Sequence, residues 1–361
     1  MKKRSFVFVL NIMLSIVLCF ISIILFYSYF QEKSYFDTLF DAAMRMERVE
    51  AYLKNRVIEK GFEITLEDIN ATGLVGPDFT ELTSTPGDER EKRSTLNPYS
   101  ASVVASMLLD AGIKKGDTIA IGASGSYPGF LISALSASSS LGLDTKLILS
   151  LGSSMYGATR VEYNIFDIAR DARESGEIDY DLLALSRGYK DDRGGSVLEN
   201  ILYEGTEELS LEICKREADL LGVTLINEPT LQDSIDKRLE LFGDVKLFVN
   251  VGGAPVNIGD GTFSFSVPVG LVMNYESVPQ GEGRGMVYEY LDRGVPIINL
   301  LDSKGFSEKY GVEFDASPLP SVERITPDTS FFVAGIFLLS LAVIIFVCSV
   351  VFKIRGEKNE S

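Results

Sequence analysis

The sequence predicts an α/β fold: a Rossmann-like, mostly parallel sheet with helices on both faces, flanked by two transmembrane helices. Three observations carry this reading. Two uncharged apolar stretches, residues 6–30 and 331–352, stand near the two ends of the 361 residues. Between them, short apolar runs of strand length alternate with amphipathic runs of helical period. The middle is also long enough to bury a sizeable core.

Each apolar stretch suffices to cross a hydrocarbon layer of about 30 Å as a helix. The first follows Lys2, Lys3 and Arg4, but its apolar run exceeds the roughly 7–15 residues of a signal-peptide core. No small-x-small cleavage site follows it, and bulky Leu18 precedes Cys19 where a lipidated cysteine wants a small neighbour. An uncleaved anchor is therefore expected. Lys353, Arg355 and Lys358 follow the second stretch, so the positive-inside rule places both termini in the cytoplasm and the middle outside. Tyr27 and Tyr29 sit where an interfacial aromatic belt belongs.

The expected layout is a flank and anchor over 1–30, a helical stalk and linker over 31–96, and an extracytoplasmic α/β domain over 97–330. A second anchor over 331–352 and a short tail over 353–361 complete it. The middle holds 28 basic against 49 acidic residues, a charge of about −21. Nucleic acid is a poor partner for such a surface, because phosphate binding draws on Lys and Arg. The chain has no histidine, which removes Ser-His-Asp and Cys-His catalysis and His-ligated metal or haem sites. Cys19 and Cys348 fall in the anchors, leaving Cys214 alone in the domain. No disulfide can form within it, and no Cys-rich metal site is read.

Residues 34–60 read as a helix, with Phe36, Leu39, Phe40, Ala43, Met46, Val49 and Leu53 at three-to-four spacing. It is either a stalk or a helix packed on the domain. Residues 76–97, with Pro77, Pro86, Gly87 and the charged run 88–93, show no period and read as a linker or long loop. Asn97-Pro98 then opens a helix that Gly112 can end. Strands follow over 118–121, 146–151, 182–185, 223–226, 245–251 and 295–300. Helices are expected over 128–141, 163–174, 207–221, 231–242, 287–292 and 303–310.

Ligands of open parallel sheets bind at the carboxyl ends of the strands. The turns there are Gly122-Ala-Ser-Gly-Ser-Tyr127, Gly152-Ser-Ser-Met-Tyr-Gly157, Ser186-Arg-Gly188, Asp192-Arg-Gly-Gly-Ser196, Asn227-Glu228-Pro229 and Asn250-Val-Gly-Gly253. Candidate ligand-binding residues are Ser124, Gly125, Ser126, Ser153, Ser154, Arg187, Arg193, Asn250, Gly252 and Gly253. Ser124 to Ser126 follow a strand and open a helix, so they read as an anion loop, a tight structural turn or an incomplete nucleophile elbow. As a nucleophile, Ser124 would need a lysine or carboxylate base. The third glycine of the dinucleotide fingerprint is missing. Arg187 and Arg193 are either carboxylate forks or partners of Asp191 and Asp192. Glu228 is a candidate base or cation ligand, or a plain helix-start carboxylate. Gly252 and Gly253 serve backbone geometry or close ligand approach. No organic cofactor or metal cluster is read, although a divalent cation bridging acidic groups fits the composition.

Several of these segments resemble the poly-gamma-glutamate system proteins. They are Asn97-Pro98, Lys115-Gly-Asp-Thr-Ile-Ala-Ile-Gly-Ala-Ser-Gly-Ser-Tyr-Pro128, Ser153-Ser-Met-Tyr-Gly-Ala158 and Asp192-Arg-Gly-Gly195. Further on come Asn227-Glu-Pro-Thr230 with Lys237-Arg238, Phe248-Val-Asn-Val-Gly-Gly253 and Gly294-Val-Pro-Ile-Ile-Asn-Leu-Leu301. The resemblance spans residues 97–320. It implies an accessory protein of synthesis, export or retention of poly-γ-glutamate, with synthase and export subunits, the membrane and the polymer itself as partners. It carries no reaction over residue by residue. The family pattern often has a histidine where this chain has Asn299. An extracytoplasmic hydrolase or transferase using Ser124 or Glu228 is the alternative. A sensor is disfavoured, because the tail after Phe352 is too short for a signalling module.

Overall fold

The computed structural model describes residues 2–263, 267–324 and 326–358, without the side chains of 2–5, 262 and 356–358. The basic side chains of Lys2, Lys3, Arg4 and Lys358 thus lie outside the described part. The chain divides into two compact units, Met1–Asp37 with Arg324–Ser361, and Thr38–Glu323.

In chain order the elements are α1 (Lys2–Glu59), β1 (Thr83–Thr85), α2 (Glu89–Ser94), α3 (Tyr99–Asp110), β2 (Thr118–Ser124), α4 (Pro128–Leu141), β3 (Asp144–Ser150), β4 (Ser153–Ser154), α5 (Ile165–Glu174) and β5 (Asp181–Ser186). Then come α6 (Thr206–Leu221), β6 (Thr224–Ile226), α7 (Leu231–Phe242), β7 (Phe248–Val251), α8 (Pro255–Ile258), β8 (Gly270–Val272), α9 (Met286–Asp292), β9 (Ile297–Leu300), α10 (Ser303–Tyr310) and α11 (Ser330–Lys358).

The first unit pairs the start of α1 with α11. Both helices are long and apolar enough to cross a membrane. They touch where side chains are small or complementary. A Cβ on Gly335 would stand 2.7 Å from the Phe26 ring, so glycine there lets the helices close up. Asn11 Nδ2 donates to Ser349 Oγ at 3.0 Å, a polar tie in an apolar setting. Phe332 packs on Phe26 and Tyr29.

The second unit is an α/β body. Its seven-stranded sheet runs β6-β5-β3-β2-β7-β9-β8, parallel except for β8, which is antiparallel on β9. Alternate residues of each strand face opposite sides. Ile119, Ile121, Leu147 and Leu149 meet a cluster holding Val104, Phe130 and Phe166 from α3, α4 and α5. Ala120, Ile148 and Phe248 meet Ile235, Phe242 and Tyr290 from α7 and α9. Both faces are therefore covered, which is why the strands read as continuous apolar runs.

The stretch expected as a stalk belongs to this unit. Met46, Val49, Leu53 and Val57 of α1 are fully buried in the first cluster. Each such burial stabilises by about 1.5–3 kcal/mol, so packing wins over a free stalk. The expected linker over 76–97 is likewise structured. Its Thr83 and Thr85 pair in parallel with Ser153 and Ser154, and α2 follows, capped by the Asp88 side chain on Arg90 N. The short strand length and the proline-rich context hid both elements. Asn97 acts as expected, its Oδ1 accepting from Tyr99 N.

From β2 the chain steps outward through β3, β5 and β6, then returns to place β7 on the other side of β2. That reversal makes the carboxyl ends of β2 and β7 the switch point of the sheet, the place where open α/β sheets take their ligands.

Candidate functional site

The turns named from the sequence converge at this edge, tied together by backbone and hydroxyl hydrogen bonds. Gly125 N donates to Gly152 O at 3.0 Å, Leu151 N to Ser186 O at 2.9 Å, and Gly152 N to Arg187 O at 3.0 Å. Ser153 Oγ donates to Gly125 O at 2.9 Å, and Ser154 N to Ser126 Oγ at 3.1 Å. The tips of β2, β3 and β5 thus form one polar seam.

Ser124 ends β2. Its Oγ is buried and has no hydrogen-bond partner among the described residues. Gly252, at the tip of β7 with φ +87°, roofs it; a Cβ there would stand 2.4 Å from that oxygen. Close approach of the β7 tip to the β2 tip explains this glycine. Gly253 is half-buried beside Leu301. Asn250 is structural: its Nδ2 donates to Gly252 O and to Asn299 Oδ1, and Asn299 Nδ2 donates to Val267 O. Asn299 thus holds the sheet edge.

The first turn of α4, which follows residues 124–126, is closely packed. A Cβ on Gly129, in the first turn of α4, would lie 2.6 Å from Thr95 O. The segment around α2 therefore packs directly against the first turn of α4.

α2 itself brings a lysine absent from the sequence-based candidates. Lys92 of α2 is 2% exposed, and its Nζ donates to Ser154 Oγ at 2.6 Å. The same Nζ stands 3.6 Å from the centre of the Tyr127 ring, whose OH donates to Glu91 Oε2 at 2.6 Å. Burial pulls the Lys92 ammonium down to about 7, although Glu91 and Asp88 oppose the shift. Burial and Glu91 both push the Tyr127 phenol up. Lys92 was illegible because it sits inside a charged run that reads as part of an aperiodic linker or loop.

Arg187 is buried. Its Nη2 donates to Asn227 Oδ1 at 2.7 Å, while its Nε has no partner among the described residues. Burial, then the charge of Arg193, lowers its pKa. Arg193 is exposed. Neither takes Asp192, which is committed to a fully buried pair with Arg238 of α7 at 2.7 Å. Arg238 Nη2 also donates to Ser186 Oγ at 2.7 Å, and Asp192 Oδ1 accepts from Gly188 N at 3.0 Å. This pair fastens the tips of β3 and β5 from beneath.

Glu228 follows β6, three strand positions from β2. At about 4.8 Å per strand it is too far to serve Ser124 as a base. Among the described residues there is no cluster of three or more His, Cys, Asp or Glu that could hold a metal ion. No family model, curated protein or solved structure matches the chain.

Proposed function

We propose that this chain is a two-pass membrane protein with cytoplasmic termini and an extracytoplasmic, Rossmann-like α/β unit. We further propose that it acts as an accessory protein of synthesis, export or retention of poly-γ-glutamate, through contact with the polymer or the synthase subunits. The observation that carries this reading is convergence. The segments resembling poly-gamma-glutamate system proteins, around Ser124, Ser153, Asp192 and Gly252, are distant in sequence yet meet at one sheet edge.

A middle region of about −21 repels a polyglutamate chain over about 8 Å at physiological salt. Contact with the polymer would therefore be local, through a group such as the exposed Arg193, or bridged by a divalent cation. The experiment is deletion of the gene in its own cells, with complementation. Loss or altered length of cell-associated γ-linked polyglutamate is expected. Unchanged polymer amount, length and release would overturn the role. Topology is tested separately with Leu66→Cys, at a residue 93% exposed. A membrane-impermeant maleimide is expected to label it in intact cells; labelling only after lysis would invert the orientation.

A further inference from the structure

Among the serines at the sheet edge, Ser154 has a distinct neighbour. Ser153 is fully buried and its hydroxyl is spent on Gly125 O and Ser154 O. Ser124 lies beneath Gly252. Ser126 Oγ is taken by Ser154 N. Ser154, 7% exposed, instead meets an amine. Among the described residues no carboxylate lies within ion-pair distance of Lys92; Glu91 is held by Tyr127 OH. A buried lysine without an ion pair is costly where an apolar side chain would pack the same ring. Such a lysine, held on a serine hydroxyl, is the arrangement that activates a nucleophile in the absence of histidine.

We propose that Ser154 and Lys92 are a nucleophile and its base, built for acyl transfer at an amide carbonyl. Neutral Lys92 Nζ takes the Ser154 hydroxyl proton as Oγ bonds to the carbonyl carbon. The carbon–nitrogen bond then breaks, and Lys92 passes that proton to the departing amine. Water attacks the resulting ester while Lys92 takes a proton from it. That proton returns to Ser154 Oγ as the carboxylic acid leaves. One amide and one water become one acid and one amine. The γ-glutamyl amide as substrate rests on the function proposed above; the pair itself does not. The burial that lowers the Lys92 ammonium supplies the neutral amine near neutral pH, with Glu91 and Asp88 on its own helix side and the Tyr127 ring above it.

The full chain in detergent is treated with a biotinylated fluorophosphonate, which phosphonylates activated serines with loss of fluoride. The expected adduct maps to Ser154, and labelling falls about tenfold or more in Lys92→Met. A second readout guards against misfolded variants. The thiol introduced by Ser154→Cys is expected to react with iodoacetamide about tenfold faster with Lys92 present than in the double variant with Lys92→Met. Of the native thiols, Cys214 is buried and burial pushes it up, while Cys19 and the exposed Cys348 are replaced by alanine in every chain compared. No adduct on Ser154 in a chain that melts cooperatively, an adduct on another serine, or equal thiol rates would overturn the pair. An adduct on Ser154 together with unchanged polymer in the deletion strain would uphold the pair and refute only the polyglutamate reading.

Discussion

Gly252 lies so close over Ser124 that a Cβ on it would stand 2.4 Å from the serine Oγ, where the tip of β7 meets the tip of β2. Its φ of +87° adds backbone strain for any other residue. Gly252→Ala is therefore expected to destabilise the chain by about 2–4 kcal/mol. Ser124→Gly in the same chain removes the steric part and should recover about 1–2 kcal/mol of that loss. Ser124→Ala alone should be neutral or mildly stabilising, because it deletes a buried hydroxyl with no partner. Denaturation of the full chain in detergent, followed by circular dichroism, reads all of these. Additive effects of the two substitutions would show that the contact carries no energy.

The Arg238–Asp192 pair makes a different prediction. Both side chains are fully buried, and each also holds a strand tip through Ser186 Oγ. Arg238→Met leaves Asp192 buried and uncompensated, which should cost about 3–5 kcal/mol. Adding Asp192→Asn keeps an acceptor for Gly188 N and removes the lone charge. The double variant should then be about 2 kcal/mol more stable than the sum of the single losses. A double variant no better than that sum would place the loss in the loop over 187–196, not in the uncompensated charge.

The sheet was legible because strands buried on both faces leave continuous apolar runs, as in residues 118–121 and 146–151. All six strands expected from the sequence form, and so do the helices between them. What stayed hidden depends on contacts distant in the chain. β1 is three residues whose partner, β4, lies far along the chain. β8 is an antiparallel edge with a glycine start and no alternation to betray it. The strand-tip serines could be named in advance, since a turn after a parallel strand marks the binding edge. Their roles could not, because burial decides them: it silences Ser153, roofs Ser124 and gives Ser154 an amine. The run 88–93 read as part of an aperiodic linker or loop, and only the fold turns Lys92 inward while Arg90 stays exposed.

Lys92 also ties stability to pH with a definite sign. The folded amine titrates at about 7 against 10.5 for an ordinary lysine. Between those values the unfolded chain carries a proton that the folded chain lacks. Stability therefore rises with pH across that window, by up to about 1.4 kcal/mol per unit. Below about 7 both states are protonated and the penalty for charging the buried amine is constant; above 10.5 both are neutral and it vanishes. Lys92→Met removes this dependence and no other. The variant should exceed the native chain most in stability at slightly acidic pH, and its advantage should shrink steadily as the pH climbs toward 10. Melting temperatures of both chains, taken in one detergent over that range, give the difference directly. A difference that does not change with pH would mean the folded lysine keeps its proton throughout, and a protonated amine cannot take one from Ser154.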